Sequence, residues 1–157
     1  MSLAAPPQIK VNGAVLSVGI VAARFNEELV EALLIRVQAG LAAAGVKPSR
    51  ITVARVPGSH ELPVAAHWLA RRRDVVIALG VLIGGDTNHH EMVGTSVSHA
   101  FQQVALTHGI PVINGVIVAD TRKQAEERCT GRINRGAEFA RAALEMAALK
   151  RTWAKKS

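Results

Sequence analysis

Runs of apolar residues alternate with helical hydrophobic stripes along the chain. Four of these runs have the length and composition of buried strands. They cover residues 14–22, 51–56, 75–81 and 111–118. Between the first two runs, hydrophobic residues recur at helical spacing from Leu29 to Leu41. This stripe predicts a helix that starts at Glu27 and is closed by Gly45.

Four further helices are predicted from later parts of the sequence. Pro63 stands near the first turn of one, and Gly109 ends another. Thr121, with Gln124 three residues later, has the spelling of a capping box, so a short helix should begin there. The last helix is predicted over residues 134–150, and its alanine-rich face must pack closely on another element. That face contains Ala140, Ala143, Leu144 and Ala147.

The order of these elements predicts the fold class. Strands that are buried on both faces and separated by helices form a parallel sheet, so we expect an α/β fold in three layers. A single domain is predicted over residues 1–157, with an extended arm at residues 1–13 and a basic tail at residues 151–157. Ligands of such sheets bind beyond the carboxyl ends of the strands. Four segments should meet there: residues 24–26, 58–61, 84–91 and the segment after Val118.

Composition narrows the classes of function. The chain has 157 residues, 49% of them hydrophobic, and no apolar run of bilayer-spanning length, so we expect no membrane partner. The net charge is +7, but the sequence lacks the interleaved aromatic residues and the motifs of nucleic-acid binders, so we expect no nucleic-acid partner. Cys129 is the single cysteine, and the first five residues lack a secretory hydrophobic region. A cytoplasmic location is therefore expected.

The third apolar run leads into a glycine-rich stretch that is suited to an anion. Residues 84–91 read Gly-Gly-Asp-Thr-Asn-His-His-Glu before helical spacing resumes. A strand, a glycine loop and a helix start collect free backbone N–H groups and the positive end of a helix dipole, which together favour a phosphate. His89 and His90 add groups able to transfer protons near neutral pH. The stretch therefore predicts a phosphate site beside acid–base chemistry.

Four sequence blocks together resemble the lumazine synthase family. They are residues 23–26, residues 56–63, residues 78–89 and residues 115–136, and they cover nearly the whole chain after the arm. The resemblance implies a flavodoxin-like fold. It also implies the condensation of 5-amino-6-ribitylaminouracil with 3,4-dihydroxy-2-butanone 4-phosphate to 6,7-dimethyl-8-ribityllumazine, with release of phosphate and water. This step of riboflavin biosynthesis needs no metal and no organic cofactor in the family.

The resemblance has implications for partners as well. It implies small-molecule substrates and a homo-oligomer, a pentamer or a multiple of one, with sites between neighbouring subunits. One subunit would supply the loops around Phe25, Gly58 and His89, and the next would supply the region of Asn114 and Arg128. Association with riboflavin synthase is a further implied interaction.

Individual site residues are expected from their match to the family's motifs. His89 is the expected proton-transfer residue, and Gly85, Asp86, Thr87 and Arg128 are expected to bind the phosphate. The expected substrate-binding residues are Phe25, Asn26, Gly58, Ser59, His60, Glu61, Val81, Leu82, Ile83 and Asn114.

Ordinary structural roles also fit several of these residues. His89 fits a helix cap or a solvent-facing position, Phe25 a plug of the core, and Glu61 a carboxylate that complements a helix dipole. Arg128 alone fits a solvated charge at a helix end. His90 stands where the family usually has an aromatic residue, which favours a stacking or structural role over catalysis.

Other positions depart from the family's pattern and make the pocket more polar. The departures are His60 for an aromatic residue, Gly84 for an arginine, Met92 for a tyrosine, Asn114 for a phenylalanine and Arg135 for a lysine. They motivate two alternatives to catalysis. One is a non-catalytic module that binds a flavin or a lumazine, and the other is a shell-forming protein with a vestigial site.

Overall fold

The computed structural model describes residues 4–156, and this part of the chain folds into four strands and five helices. The strands are β1 (Val18–Ala23), β2 (Ile51–Val56), β3 (Val75–Ile83) and β4 (Val112–Ala119). The helices are α1 (Glu27–Ala43), α2 (Leu62–Ala70), α3 (His89–His108), α4 (Arg122–Cys129) and α5 (Arg135–Lys156). Single 3₁₀ turns at Pro48–Arg50 and Ser59–Glu61 precede β2 and α2.

The four strands form one parallel sheet in the order β2-β1-β3-β4. All six residues of β1 are buried, as is expected for a strand covered on both faces. Helices α1, α4 and α5 cover one face of the sheet, and α2 and α3 cover the other. The predicted α/β class and three-layer arrangement are therefore confirmed, and the strand order is that of a flavodoxin-like sheet.

Small residues let α1 and α5 approach each other closely. A Cβ on Gly40 of α1 would lie 2.7 Å from the Cβ of Ala140, which is fully buried on α5. Ala143 and Ala147, further along the same face, are also fully buried. The predicted close packing of the alanine-rich face is therefore confirmed, and this face packs on α1.

The predicted ends of the helices are confirmed where glycine or a capping residue marks them. Gly45 and Gly109 have the positive φ values of 90° and 63° that follow helix ends. The hydroxyl of Thr121 accepts from the N–H of Gln124 at 3.2 Å, and the Gln124 side chain accepts from the N–H of Thr121 at 3.3 Å. This reciprocal pair is the capping box that the sequence predicts for α4.

Two predicted boundaries are wrong by more than two residues. Helix α5 continues to Lys156, so the described part of the basic tail is helical, because no helix-breaking residue follows position 150. In this extension, Nη1 of Arg151 lies 3.5 Å from Oδ1 of Asp74. The first strand begins at Val18 rather than at residue 14, because residues 14–15 form a turn and the N–H of Leu16 donates to the carbonyl of Gly13.

The described N-terminal residues up to residue 13 form neither helix nor strand, and residues 8–12 lie beside α1 and α5. No helix within residues 4–156 combines the length and apolar character that crossing a bilayer requires.

Candidate functional site

A cavity of about 590 Å³ opens at the carboxyl ends of the strands. It lies where the strand order reverses between β1 and β3, which is the usual ligand position in an open parallel sheet. Ten of the expected site residues line it: Phe25, Asn26, Gly58, Ser59, His60, Glu61, Val81, Leu82, Ile83 and His89. His90, Met92 and Val93 complete the lining. The loops after three strands therefore meet at one edge, as the topology predicts.

Asn26 joins the two central strands at the base of this cavity. Its backbone has the left-handed φ of 54°, and its carbonyl accepts from the N–H groups of Leu29 and Val30 in the first turn of α1. Its side-chain Nδ2 donates to the carbonyl of Val81 on β3 at 2.8 Å. Because this donor is satisfied within the chain, Asn26 shapes the cavity as well as lining it.

The loop after β1 is tied to the loop after β2. The N–H groups of Arg24 and Phe25 donate to the carbonyl of Pro57 at 3.2 and 3.1 Å. A Cβ on Gly58 would lie 3.1 Å from Cδ2 of Phe25, so the ring rests beside the glycine backbone. Phe25 is nevertheless 71% exposed, and the alternative that it plugs the core is wrong. It offers an aromatic surface at the mouth of the cavity.

Glu61 and Ser59 hold the loop after β2 in place. Oε2 of Glu61 accepts from the N–H of Gly58 at 2.9 Å, which closes the 3₁₀ turn before α2. Ser59 is a buried polar residue with 5% exposure, and its hydroxyl packs over Gly80 of β3, where a Cβ would collide with it. The glycine at position 80 is therefore required by close approach of the loop to the strand.

The glycine loop, residues 84–88, borders the cavity without lining it. Gly85, Asp86 and Thr87 are exposed. The Thr87 hydroxyl lies 3.4 Å from the N–H of His89, at the start of α3. The loop therefore stands at the positive end of the α3 dipole, where an anion is favoured.

The two histidines at the start of α3 have different surroundings. His89 is exposed at the rim of the cavity. The His90 side chain is only 11% exposed, with Nε2 3.5 Å from Oδ1 of Asp120 and with Nδ1 buried and without a hydrogen-bond partner. His89 is thus the more accessible of the two histidines, whereas His90 lines the cavity from a largely buried position.

The possible metal ligands at the start of α3 form a poor metal site. Among residues 4–156, His90, Glu91 and Asp120 bring three possible ligand atoms within 4.8 Å of one another. Nε2 of His90 would be the nitrogen that faces the carboxylate of Asp120. A metal there would place the ring proton on Nδ1, which is buried without an acceptor, whereas metal-binding histidines normally donate that proton to a partner.

Asn114 and Arg128 are expected site residues that lie outside the cavity lining. Asn114 is exposed on β4, and its Oδ1 accepts from the N–H of Val116 at 3.0 Å. Arg128, near the end of α4, donates from Nη1 to the carbonyl of Gln124 at 2.9 Å. Neither residue lines the cavity of its own chain.

The departure at Arg135 is explained by contacts within the chain. Its guanidinium pairs with Glu138 and lies 5.0 Å from the centre of the Phe139 ring. The planar guanidinium makes both the ion pair and the ring contact, and a lysine ammonium group does not reproduce this combination.

Sequence reasoning missed two features of the site. Val93 lines the cavity, although only its place in the first turns of α3 could have indicated it. The approach of His90 to Asp120 spans two separate elements, and nothing in the local pattern of either segment announces it.

The fold and this edge together define an α/β protein with a ligand-sized cavity beside a glycine loop and two histidines. Comparison with known proteins identifies the family. The model of the 6,7-dimethyl-8-ribityllumazine synthase family matches residues 15–151. A protein of that name from Thermobifida fusca is 43% identical over 150 residues, which cover 94% of this chain and 87% of the relative. One from Laribacter hongkongensis is 40% identical over 147 residues, covering 91% and 92% of the two chains. The chain belongs to the 6,7-dimethyl-8-ribityllumazine synthase family.

Proposed function

We propose that the chain condenses 5-amino-6-ribitylaminouracil with 3,4-dihydroxy-2-butanone 4-phosphate to 6,7-dimethyl-8-ribityllumazine, releasing phosphate and water in riboflavin biosynthesis. The enzyme class follows from the family, whose matched relatives are named as this synthase. The observation that supports the site assignment most strongly is the cavity at the carboxyl edge, which joins an aromatic surface, polar loops and His89 beside the glycine loop. The family match gives no support to a non-catalytic binding module or to a shell-forming protein.

Each part of the cavity has a task in this proposal. The exposed ring of Phe25 stacks on the flat pyrimidine, because aromatic faces favour offset stacking. The polar atoms of residues 58–61 and Asn26 face the ribityl hydroxyls and the uracil edge, where convergent donors and acceptors set orientation. Val81, Leu82 and Ile83 form the apolar floor at the end of β3.

The phosphate binds at the glycine loop in this account. Backbone N–H groups of Gly85 and Asp86, the hydroxyl of Thr87 and the α3 dipole favour the dianion. Arg128 supplies the neutralising charge, and a hydrogen bond to a charged group contributes about 1.5–3 kcal/mol. The Asp86 carboxylate, which would repel the phosphate, is exposed and so can remain in solvent.

His89 moves protons between the reacting atoms. The uracil amine attacks the ketone carbon, and loss of water gives an imine. Removal of a proton from the hydroxyl-bearing carbon then accompanies elimination of phosphate, and the resulting enol tautomerises to a ketone. Attack of the ribitylamino nitrogen on this new ketone closes the ring with loss of a second water. An imidazole serves both as acid and as base in such steps and typically contributes about 10²- to 10⁴-fold.

A homopentamer, or a multiple of one, completes the site in this proposal. Asn114 and Arg128 lie outside the cavity of their own chain, so we infer that they contribute to the cavity of a neighbouring subunit. Exposed apolar residues also support assembly, since Leu106 is 82% and Trp153 63% exposed along a groove that Met146 and Leu149 share. Cytoplasmic location and association with riboflavin synthase belong to the same proposal, and the buried free thiol of Cys129 agrees with a reducing compartment.

Kinetics of two variants test these roles. Arg128→Ala should raise the KM of the butanone phosphate with little change in the KM of the uracil, whereas His89→Ala should lower kcat with both KM values retained. Equal loss of folding stability in both variants would contradict the assignments. Ligand binding without turnover in the wild-type protein would favour the binding module.

Mixing the two variants tests the shared site. If His89 and Arg128 act from neighbouring subunits, subunits of the two variants reassembled in equal amounts regain activity, because about a quarter of the interfaces then hold both native residues. Each variant reassembled alone is the control. Recovery no greater than the average of the two controls would place both residues in one subunit's site.

A further inference from the structure

The glycine loop, residues 84–88, is attached to the protein mainly through its two ends. At the first end, the N–H of Gly84 donates to the carbonyl of Ala119 at 2.8 Å. The two segments approach so closely that a Cβ on Gly84 would lie 2.6 Å from the backbone oxygen of Asp120. At the tip, a Cβ on Gly85 would meet no atom within 4 Å. The position of the tip therefore depends on how the ends are held.

The second end of the loop is the first turn of α3, where the ring of His90 turns inward. Its Nε2 lies 3.5 Å from Oδ1 of Asp120, and its Nδ1 is buried without a partner. A buried N–H without an acceptor is costly, so the neutral tautomer with the proton on Nε2 is favoured. In this tautomer the Nε2–H group donates to Asp120, and Nδ1 carries no proton that needs an acceptor.

The cap of α4 holds the backbone of Asp120, whose side chain is 77% exposed. Its N–H donates to Oε1 of Gln124 at 2.9 Å, and the same oxygen accepts from the N–H of Thr121. The segment formed by Ala119 and Asp120 therefore receives both ends of the glycine loop. Gly84 contacts it through the backbone, and His90 contacts it through the side chain.

We propose that His90 and Asp120 are a positioning pair for the phosphate substrate. By fixing the first turn of α3 to the end of β4, the pair sets the span of the glycine loop and so aims its N–H groups at one point. The 3.5 Å separation is at the long limit of a hydrogen bond, so a small displacement of the loop breaks the contact. This inference rests on the proposed function, because it assumes that the loop binds the phosphate.

Two substitutions of His90 separate its hydrogen bond from its bulk. His90→Phe keeps a buried ring without a donor, and His90→Gln keeps an N–H near the position of Nε2. We expect H90F to raise the KM of the butanone phosphate about 3- to 10-fold, the effect of one lost hydrogen bond, and to change the KM of the uracil less, because a ring is kept in the cavity lining. H90Q should recover most of the loss. A general structural defect would instead change both KM values together.

Asp120→Ala should reproduce the effect of H90F, and the double variant should be no worse than either single one, because all three lack the same contact. Glu145→Ala, at an exposed acid on α5, is the matched control and should change neither KM. Additive effects of H90F and D120A, or no recovery in H90Q, would overturn the pair.

A binding measurement separates this inference from the proposed function. Inorganic phosphate should raise the unfolding temperature of the wild-type protein more than that of H90F. If the wild-type protein shows no synthase activity but retains this difference, the function is wrong and the positioning pair stands. Equal protection of the wild-type protein and H90F, together with unchanged KM values, would overturn the pair alone.

Discussion

The side-chain amide of Asn26 donates to the carbonyl of Val81 at 2.8 Å and thereby ties the loop after β1 to the end of β3. The two strands are neighbours at the point where the strand order reverses, so this bond crosses the base of the cavity. Asn26 also adopts a left-handed backbone, which asparagine tolerates better than most residues. Asn26 therefore forms the turn after β1, begins α1 and shapes the site.

Substitutions of Asn26 should separate these effects. Asn26→Gly loses the hydrogen bond but accepts the positive φ, so we expect it to cost about 1 kcal/mol of unfolding free energy. Asn26→Ala loses the bond and strains the backbone, which should cost about 2–3 kcal/mol. Urea denaturation measures both values. An alanine variant as stable as the glycine variant would show that the backbone conformation is not strained.

The contact between Ser59 and Gly80 predicts a compensating pair of substitutions. Gly80→Ala places a methyl group against the Ser59 hydroxyl, and overpacking of this kind typically costs about 1–3 kcal/mol. Ser59→Ala removes that hydroxyl, so the double variant should regain part of the lost stability. Gly85→Ala is the control, since open space surrounds that position. Thermal unfolding of the four variants measures these differences in stability. A double variant that is no more stable than G80A would contradict the prediction.

A pair of histidines joins α2 to α3 on the opposite side of the sheet from α5. Nε2 of His108 lies 2.8 Å from Nδ1 of His67, and one of the two rings must donate and the other accept. Burial, followed by the nearby His67 and Arg71, lowers the pKa of His108 below its ordinary value of 6.5. The folded protein therefore favours neutral His108.

This lowered pKa predicts a loss of stability in acid. The unfolded chain binds more protons at His108 than the folded one, so the stabilising contribution is complete above a pH of about 6.5 and falls as the pH drops through the folded pKa. His108→Gln should lose less stability than the wild-type protein between about pH 7.5 and 5. His99→Gln, at an exposed histidine of the same helix, should follow the wild-type curve. Parallel curves for the wild-type protein and H108Q would contradict the prediction.

Cys129 should be unreactive in the folded protein. Burial at the end of α4 raises the pKa of its thiol to about 11, while Arg36 and Arg128 act in the opposite direction more weakly. Because the thiolate is the reactive form, labelling by a thiol reagent at neutral pH should be slow before denaturation and fast after it. Equally fast labelling of the native protein would mean that α4 opens readily.

The order and type of the strands and helices can be predicted well from the sequence, because they depend on repeated local signals. Buried runs, helical stripes and the Thr121 cap each depend on many residues or on a strong local motif, and parallel topology then brings the strand ends together. Boundaries were less predictable. Nothing local stops α5 after position 150, and only the turn beyond Gly13 delays β1.

Side-chain assignments within the site depend on tertiary contacts that local patterns do not contain. The sequence predicts that Phe25 and the 58–61 loop meet, but not that Glu61 holds the N–H of Gly58. It singles out His90 as unusual, yet the inward turn of its ring follows from the position of Asp120 across the loop. Long-range hydrogen bonds of this kind require the folded structure.

Mixing the purified protein with 5-amino-6-ribitylaminouracil and the butanone phosphate tests the proposed synthase activity. Lumazine absorbance and phosphate release are followed together against a protein-free control. We expect a clear excess of both over the control, in equal amounts, that is strongly reduced in His89→Ala. Rates equal to the protein-free control, with a folded protein that still binds either substrate, would contradict it.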